Sequence, residues 1–377
     1  MNMRRNRALV CGRIVSDLAL AVFATLTPAL PTFADNVLTS AESSVSAAMV
    51  APKNWGGPTS GPKATGPNNI ILVADAIAPG AARFASALQA AGAAIGWQVV
   101  VVRISGPKGA RRIALERAIL DEPQGIVIFG FDPTPAVAAM KAGATAGVKF
   151  VGVEVGAGTP VLSALSFFAQ IGPSQDRRAK LAADAAIVAS EGHAGAVILT
   201  DSRRRSDVHV ARQIEVDLRR CTACKVLAVV DVARDASAPV MMARIKRLQE
   251  LYGSRWNVTL APSDRYFRDF GAGLSKLGLK APSWPAGIAA GEGSSSALKR
   301  ISAKAGQTAT LARPLTLEAW QAVDELNRAF AGKDDPSGFE MSPLLVTSQN
   351  AADPALASGS YDPALHYRHA YQAIWAK

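Results

Sequence analysis

From residue 69 to residue 311, short uninterrupted apolar runs alternate with Ala-rich segments of helical pattern. An apolar run of four or five residues suits a strand that is buried on both faces. Strands that alternate with helices predict a parallel sheet, because parallel neighbours need a crossover connection between them. The pattern therefore predicts an α/β protein.

The alternation falls into two successive groups. In the first group, the predicted strands and helices are 70–73, 79–96, 99–102, 111–120, 125–129, 136–146 and 150–153. In the second group they are 176–190, 196–199, 208–219, 226–230, 241–252, 258–260, 265–277, 287–289, 294–303 and 309–311. Two sequential α/β units are the simplest account, since a chain of 377 residues is too long for one compact core.

One further helix is predicted over 316–331, where apolar residues recur at helical spacing. We predict Thr316 as its N-cap and Gly332 as its end. This helix is one more than the second unit needs. We therefore expect it to return to the first lobe.

The first 34 residues have the pattern of a secretory signal peptide. Three arginines lie within the first seven residues, an apolar stretch covers 18–30, and Thr-Phe-Ala at 32–34 offers a cleavage site. A membrane anchor is the alternative, but Pro28 and Pro31 leave fewer uninterrupted apolar residues than the roughly 20 that span a bilayer. Cys11 precedes the apolar stretch, which disfavours a lipoprotein.

Residues 35–68 are rich in Ser, Ala, Gly and Pro and show no helix or strand period. This composition predicts an extended leader. We expect Trp55 to pack the leader against the folded chain.

The formal net charge is +11, and the basic residues are spread along the chain. Such an excess can favour an anionic ligand or an acidic partner surface, but we interpret it first as a solubility feature. The sequence has no zinc-finger spacing, no basic stripe interleaved with aromatic residues and no helix-turn-helix pattern. It therefore disfavours nucleic acid as a partner.

Cys221 and Cys224 form a Cys-x-x-Cys motif. A redox-active motif of this spacing is the alternative, but here the pair lies between a helical segment and an apolar strand. In an oxidising compartment we expect a short structural disulfide. No pair of histidines lies nearby, so we do not expect a zinc site.

Five segments have the composition and the order of motifs in one known family. They are the strand and loop 124–134, the strand 146–152, the turn 261–264, the turn 291–293, and the segment 309–317 with the helix after it. On these segments the chain resembles the type I periplasmic binding proteins, the sugar-binding components of bacterial uptake systems. The leader at 55–59, the Cys-x-x-Cys motif and the Tyr-rich tail ending in Trp375 are similar to a longer subgroup of sugar-type substrate-binding proteins.

The resemblance implies an α/β fold of two Rossmann-like lobes with parallel sheets, joined by a multi-crossover hinge. We expect a signal peptide over 1–34, an extended leader over 35–68 and a C-terminal tail over 351–377. The N-terminal lobe is predicted over 69–172 plus 313–333, and the C-terminal lobe over 173–312 plus 334–350.

Ligands of open α/β sheets bind outside the carboxyl ends of the strands, and two such lobes facing each other form a cleft. The residues that follow the predicted strands are therefore candidates for ligand contact: Asp75, Ile77, Phe131, Asp132, Glu154, Asp201, Arg203, Arg204, Ser263, Asp264 and Glu292.

The resemblance adds further positions and roles. Arg212 matches the family's second-lobe arginine, and Arg313 stands where a hinge glutamine is common. Ser263 and Glu292 stand where the family usually has Asn and Asp. Three aromatic residues are expected to flank the ligand with flat apolar faces: Phe131, Tyr266 and Phe267.

Several of these positions have plainer alternatives. The run 203–205 of three arginines suits a carboxylate or phosphate ligand, and the alternative is a solvated loop. Asp132 precedes Pro133 and has the alternative role of capping the next helix. Glu154 and Glu292 have the alternative role of surface turn residues.

We predict a periplasmic solute-binding protein that captures a sugar, polyol or sugar acid in the cleft and delivers it to an ABC importer. The alternatives are a periplasmic sensor that acts on a receptor or histidine kinase, and a degenerate scaffold that no longer binds. None of the four histidines lies in an HExxH pattern, and no serine lies in a Gly-x-Ser-x-Gly elbow. We therefore predict no enzyme, no metal and no cofactor, and we expect a monomer.

Overall fold

The computed structural model describes residues 33–106, 109–156, 167–279 and 284–377. The predicted signal peptide over 1–34 lies outside these residues, except for the backbone of its last two positions.

The leader contains a helix, α1 Phe33–Ala48, which corrects the prediction of an extended segment. Val37, Ala41 and Val45 recur every four residues, and they pack with the core of the second lobe. The Ser and Ala that surround them hide this period in a composition typical of loops. The remainder of the leader, up to residue 68, has no helix or strand.

Five parallel strands form the sheet of the first lobe: β1 Asn69–Asp75, β2 Gln98–Ile104, β3 Gly125–Phe129, β4 Lys149–Val153 and β5 Phe167–Ile171. Their order across the sheet is β2-β1-β3-β4-β5. Three helices follow strands of this lobe: α2 Ala81–Ile95, α3 Ala110–Leu120 and α4 Val137–Thr145.

Both faces of this sheet are covered. Ile70 and Leu72 share a core with α2 on one face, while Ile71 and Val73 share a core with α3 and α4 on the other. Successive side chains of a strand point to opposite faces. The unbroken apolar run therefore reflects burial on both sides, as the sequence predicts.

The second lobe has a six-stranded sheet: β6 Gly195–Thr200, β7 Lys225–Asp231, β8 Val258–Ala261, β9 Ala286–Glu292, β10 Ala309–Ala312 and β11 Leu344–Thr347. Their order is β11-β10-β9-β8-β6-β7, with β11 antiparallel to β10. Its helices are α5 Gln175–Ala189, α6 Arg205–Leu218, α7 Ala238–Tyr252, α8 Phe270–Lys276 and α9 Ser295–Ser302. The structure thus has two mostly parallel sheets, as predicted.

Helix α10, Leu315–Phe330, follows a strand of the second lobe but packs on the first. Its Leu317 and Leu326 share a core with Phe84 of α2. Pro314, not Thr316, occupies the N-cap position, because the Pro314 carbonyl accepts the first helical bond from the Glu318 N–H. This corrects the predicted cap by two residues.

The chain passes between the lobes after β5, after β10 and after α10. The exact lobe boundaries given above stay predictions. Helix α11, Tyr367–Trp375, brings the tail onto the first lobe, where Trp375 stacks on Trp320 of α10 with ring centroids 5.7 Å apart. Trp55 of the leader lies 5.5 Å from the Tyr371 ring, so the leader and the tail pack on the same lobe.

Candidate functional site

The carboxyl ends of the strands in the two lobes face each other across a cavity of about 790 Å³. Its wall is strongly charged. The lining includes nine arginines and five carboxylates: Arg111, Arg112, Arg178, Arg203, Arg204, Arg205, Arg212, Arg234, Arg313, Asp75, Asp132, Glu154, Asp207 and Glu292.

The wall brings together most of the residues predicted to contact the ligand. Nine of them line the cavity: Asp75, Phe131, Asp132, Glu154, Arg203, Arg204, Arg212, Glu292 and Arg313. Six others do not line it: Ile77, Asp201, Ser263, Asp264, Tyr266 and Phe267.

Asp75 is the last residue of β1 and is almost fully buried. Its Oδ2 accepts hydrogen bonds from Nε and Nη2 of Arg111, at 3.2 and 2.9 Å. Its Oδ1 accepts the Ile77 N–H at 3.2 Å, which fixes the turn after the strand. Asp75 therefore holds Arg111 against the cavity wall.

Glu154, Arg178 and Arg313 form an ion cluster where the lobes meet. Glu154 follows β4 with a positive φ of 57° and pairs with Arg178 of α5 at 2.9 Å and with Arg313. Arg313 also pairs with Glu318 of α10 at 2.5 Å. Burial acts to raise the pKa of Glu154, but the two arginines outweigh it and hold the pKa below the ordinary value.

Asp207 of α6 is buried and pairs with Arg234, which follows β7. The Tyr266 hydroxyl donates to Asp207 Oδ2 at 2.7 Å. Burial, together with the Asp207 charge, raises the pKa of Tyr266 well above its ordinary value. Tyr266 is only 1% exposed, and Phe267 packs edge-on to Phe270 in the core. This corrects the prediction that both rings flank the ligand, since they lie behind the wall.

Ser263 and Asp264 are also directed away from the cavity, while the preceding Pro262 lines it. Asp264 Oδ1 accepts hydrogen bonds from Gln307 Nε2 at 2.7 Å and Thr310 Oγ1 at 2.6 Å. Its Oδ2 accepts the Ser294 N–H at 2.9 Å. Its acceptor sites are thus used inside the second lobe, which corrects its predicted role as a ligand contact.

Ser263 likewise has an internal role. It caps the 3₁₀ turn Asp264–Phe267 by accepting the Arg265 N–H, and its hydroxyl donates to Glu292 Oε2 at 3.3 Å. Ser263 is predicted to contact the ligand, but in the structure it contacts Glu292, which does line the cavity.

Ile77 is 49% exposed and lies outside the lining. Its carbonyl accepts a hydrogen bond from Arg265 of the second lobe at 3.4 Å. This corrects its predicted place in the site, because the turn at Asp75 directs the Ile77 side chain to solvent rather than into the cleft.

Glu292 ends β9 and lines the cavity. Burial, and after it the nearby Asp264 carboxylate, raises the pKa of Glu292 to about 8, although Arg234 acts in the opposite direction. At neutral pH the side chain is therefore mostly a neutral carboxylic acid. It can both donate and accept a hydrogen bond.

The three arginines at 203–205 have different surroundings. Arg203 is 63% exposed and is tied to Asp201 and Asp235, so the solvated-loop interpretation fits it. Arg205 lies 3.7 Å from Asp132 of the first lobe and is mostly exposed. Arg204, between them, is partly buried and lines the cavity.

Phe131 is 6% exposed and supplies an aromatic ring to the wall. Asp132 lines the cavity beside it, but its Oδ1 accepts the Thr134 N–H at 2.9 Å. This bond closes a local turn, but Pro133 occupies the N-cap position of the 3₁₀ turn Thr134–Ala136, so the capping interpretation of Asp132 is wrong while its place in the wall stands.

Several buried polar atoms of the wall have no hydrogen-bond partner within the described ranges. They are Thr134 Oγ1, Gln175 Oε1, Arg178 Nε and Arg204 Nε. Buried polar atoms are almost always hydrogen-bonded in proteins, so these four mark polar groups that lie just beneath the surface of the cavity.

Arg111, Arg178 and Arg234 line the cavity but are not among the predicted residues. Arg234 follows β7, and Arg111 follows the loop after β2, so the position of both at the carboxyl ends of strands is a signal that could have identified them. Arg178 lies in the first turn of α5, and no strand-end signal identifies it.

Cys221 and Cys224 are joined by a disulfide in the structure. Cys221 packs in the core of the second lobe, and neither cysteine lines the cavity.

Within the described ranges, no helix combines the length and the apolar character that a membrane crossing requires. No group of three His, Cys, Asp or Glu side chains in that part of the chain is arranged to hold a metal ion.

No family model matches the chain, and no curated protein matches it. Solved structures do. An ABC transporter solute-binding protein from Agrobacterium vitis, bound to α-D-tagatopyranose, is 16% identical with a TM-score of 0.64, covering 78% of this chain and 99% of its own.

Two further solved structures show the same likeness. A solute-binding protein from Bacillus halodurans with bound myo-inositol is 13% identical with a TM-score of 0.62, covering 76% of this chain and 96% of its own. One from Actinobacillus succinogenes with bound D-allose is 12% identical with a TM-score of 0.65, covering 76% of this chain and 100% of its own. The chain thus has the two-lobed fold of the type I periplasmic binding proteins, as the motifs indicate.

Proposed function

We propose that this protein is a periplasmic solute-binding protein that captures a sugar, polyol or sugar acid between its lobes and delivers it to an ABC importer. The observation that carries the proposal is the charged cavity between the lobes, with its buried and unpaired polar atoms. Proteins of the same fold are ABC transporter solute-binding proteins with tagatose, inositol or allose bound.

The wall offers the contacts that a small polyhydroxy ligand needs. Gln175 and Thr134 can bond to hydroxyl groups, and Phe131 can lie against an apolar face. Arginine forks supply charge-assisted hydrogen bonds. Few positions of the wall are aromatic, so polar contacts set the orientation of the ligand.

Contacts across the cleft support capture by closure of the lobes. Arg178 of the second lobe pairs with Glu154 of the first at 2.9 Å, and Arg265 donates to the Ile77 carbonyl at 3.4 Å. A ligand that contacts both lobes binds the closed state better and shifts the equilibrium toward it.

A degenerate scaffold is the less favoured alternative. A scaffold needs no charged cavity between its lobes, whereas a binding protein uses such a cavity to hold its ligand.

The proposal includes a location in the periplasm, a function in binding rather than catalysis, and a monomer that docks on a membrane permease. The predicted signal peptide supports the location. The transport proteins of the same fold support the function in binding.

A thermal-shift screen of the purified protein tests the proposal, with a panel of aldoses, polyols, sugar acids and sugar phosphates. A ligand at 100 times its dissociation constant should stabilise the protein by about 2.7 kcal/mol. The shift should disappear in the Arg212→Ala and Glu292→Ala variants. It should persist in Arg219→Ala, a control at the residue after α6 that pairs with Glu215 and lies outside the cavity lining. A well-folded protein that no compound stabilises contradicts the proposal.

A further inference from the structure

Seven of the nine arginines in the cavity wall have a carboxylate within 3.7 Å, so the cationic surplus in the described part of the chain consists of Arg204 and Arg212. Three of the wall's carboxylates are already engaged by arginines: Asp75 by Arg111, Asp207 by Arg234, and Glu154 by both Arg178 and Arg313. Asp132 has one distant contact, with Arg205 at 3.7 Å. Glu292 has no ion pair within the described ranges, and it is mostly neutral at neutral pH.

Arg204 is the clearest member of that surplus. Its Nη2 and Nε lie 3.9 Å from the nearest oxygens of Asp75 and Asp207, which is beyond hydrogen-bond distance. Its side chain is 19% exposed, and Nε is fully buried without a partner in the described part of the chain. Burial, and then the neighbouring Arg234, lowers the pKa of Arg204, so its cationic form gains from any anion placed nearby.

Arg212 is a second cation of the wall. It lies on α6, two turns beyond Arg204, and helical spacing keeps Arg205, His209 and Arg212 on the side of the helix that faces the cavity. His209 is already bonded to Asp176. Arg212 makes no side-chain ion pair or hydrogen bond with the residues that the structure describes.

The aromatic content of the wall is low in comparison. Phe129 and Phe131 are the lining aromatic residues, and Phe129 stacks on Phe84 of the first-lobe core with ring centroids 4.6 Å apart. Tyr266 and Phe267 lie in the second-lobe core. Aromatic faces are thus few beside the arginines of the wall, although apolar side chains such as Leu115, Val208 and Val210 also line it.

From this balance we propose that the ligand carries an anionic group, a carboxylate or a phosphate on a sugar-like body, and that Arg204 and Arg212 bind that group. The inference rests on the proposed function. Guanidinium groups match carboxylate and phosphate geometry, and their bonds to an anion are stronger than those between neutral groups. Gln175 and Thr134 remain for the hydroxyl groups of the same molecule.

Isothermal titration calorimetry with matched sets of compounds tests this inference. One set is D-glucose, D-glucuronate and D-glucose 6-phosphate, and the second is D-galactose, D-galacturonate and D-galactose 6-phosphate. Within the set that binds, an anionic member should bind at least about tenfold more tightly than the neutral sugar, as one charge-assisted bond allows. The affinities for the uronate and the sugar phosphate of a set show whether the site prefers a carboxylate or a phosphate.

Charge-removing variants locate the anionic group. Arg204→Gln and Arg212→Gln should each lower the affinity for the anionic compound by about 10- to 100-fold. The affinity for the neutral sugar should change much less. Arg219→Gln removes the same charge at the C-terminal end of α6, outside the cavity, and should change the affinity for neither compound.

The outcomes separate this inference from the proposed function. If the neutral sugar binds as tightly as its anionic partners, or if the two arginine variants leave the preference unchanged, the inference is wrong while the proposed function stands. If no compound of either kind binds to the folded protein, the proposed function fails and the inference with it.

Discussion

Glu292 is a residue whose charge state depends on the fold of the cavity. Burial and the Asp264 and Glu154 carboxylates raise its pKa to about 8, and Arg234 and the Ser263 hydroxyl only partly oppose them. The folded protein therefore keeps a proton on Glu292 that the unfolded chain loses above about pH 4.5. Protonation of this one side chain consequently contributes to stability and to the charge of the cavity.

The free energy of unfolding should therefore depend on pH through Glu292. Stability falls as the pH rises from about 4.5 to about 8, by at most about 1.4 kcal/mol per pH unit, and the full penalty is present above that range. Glu292→Gln removes this titration, so the stability of the variant relative to wild type should grow across the range and then level off. Urea unfolding at a series of pH values measures the difference. Glu340→Gln, at an exposed position, serves as a control. If the difference in unfolding free energy between Glu292→Gln and wild type is constant with pH, the raised pKa of Glu292 is contradicted.

Tyr266 provides a test of the polar network behind the wall. Its hydroxyl donates to the buried Asp207 carboxylate at 2.7 Å, so Tyr266→Phe should cost about 1.5–3 kcal/mol of unfolding free energy. Tyr361 is equally buried, but its hydroxyl has no partner among the described residues. Tyr361→Phe should therefore be neutral or stabilising. Equal losses in the two variants, measured by chemical denaturation, would show that the Asp207 bond contributes nothing.

The strand-end rule identified Asp75, Glu154 and Glu292 from sequence alone, because the end of a buried strand is visible as the end of an apolar run. It did not distinguish side chains that face the cavity from those that bond inward, such as Asp264. That distinction depends on Gln307 and Thr310, which are more than 40 residues away and appear beside Asp264 only after folding.

Among the elements, helix α1 forms in a segment whose composition predicts an extended leader. Ala41 is 1% exposed, and α1 packs on the second-lobe core through it. Ala41→Glu places an unpaired charge in that contact and should lower the free energy of unfolding by about 1–3 kcal/mol. Ser43→Glu, at an exposed position of the same helix, should have little effect. Equal stability of the two variants would show that α1 does not pack as described.

Most of the sheet elements were predictable, because burial on both faces leaves an apolar run that needs no knowledge of neighbours. The sequence pattern did not predict β5 and α11, which lack such an apolar run. β5 contains Gln170 within a short apolar segment, and α11 mixes polar residues with Tyr371 and Trp375. Their stability comes from tertiary contacts, such as the bond from Trp375 Nε1 to Asp324 Oδ1 at 2.9 Å.

At the scale of the whole molecule, the Glu154 cluster links the lobes. Glu154 belongs to the first lobe, and its partner Arg178 to the second, and both Arg178 and Arg313 are almost fully buried. Glu154→Gln leaves these cations poorly compensated and should lower the free energy of unfolding by about 3 kcal/mol. Glu340→Gln removes an exposed pair with Arg177 and should cost less than about 1 kcal/mol. Urea denaturation compares them, and similar costs would show that the cluster does not stabilise the lobe contact.

The two-lobed architecture followed from the repeated strand and helix pattern, but the charge balance of the cavity did not. Arg313 and Glu154 are 159 residues apart in sequence, and Asp75 and Arg111 are 36 apart. Which arginines are neutralised, and which remain for a ligand, is a property of the assembled lobes alone.

A crystal structure of the protein with the best compound from the thermal-shift screen would show directly where the ligand binds. The compound should lie between the lobes, with Arg204 and Arg212 on its anionic group and Gln175 near its hydroxyl groups. A compound bound outside this cavity, with the wall unchanged, would contradict this binding mode.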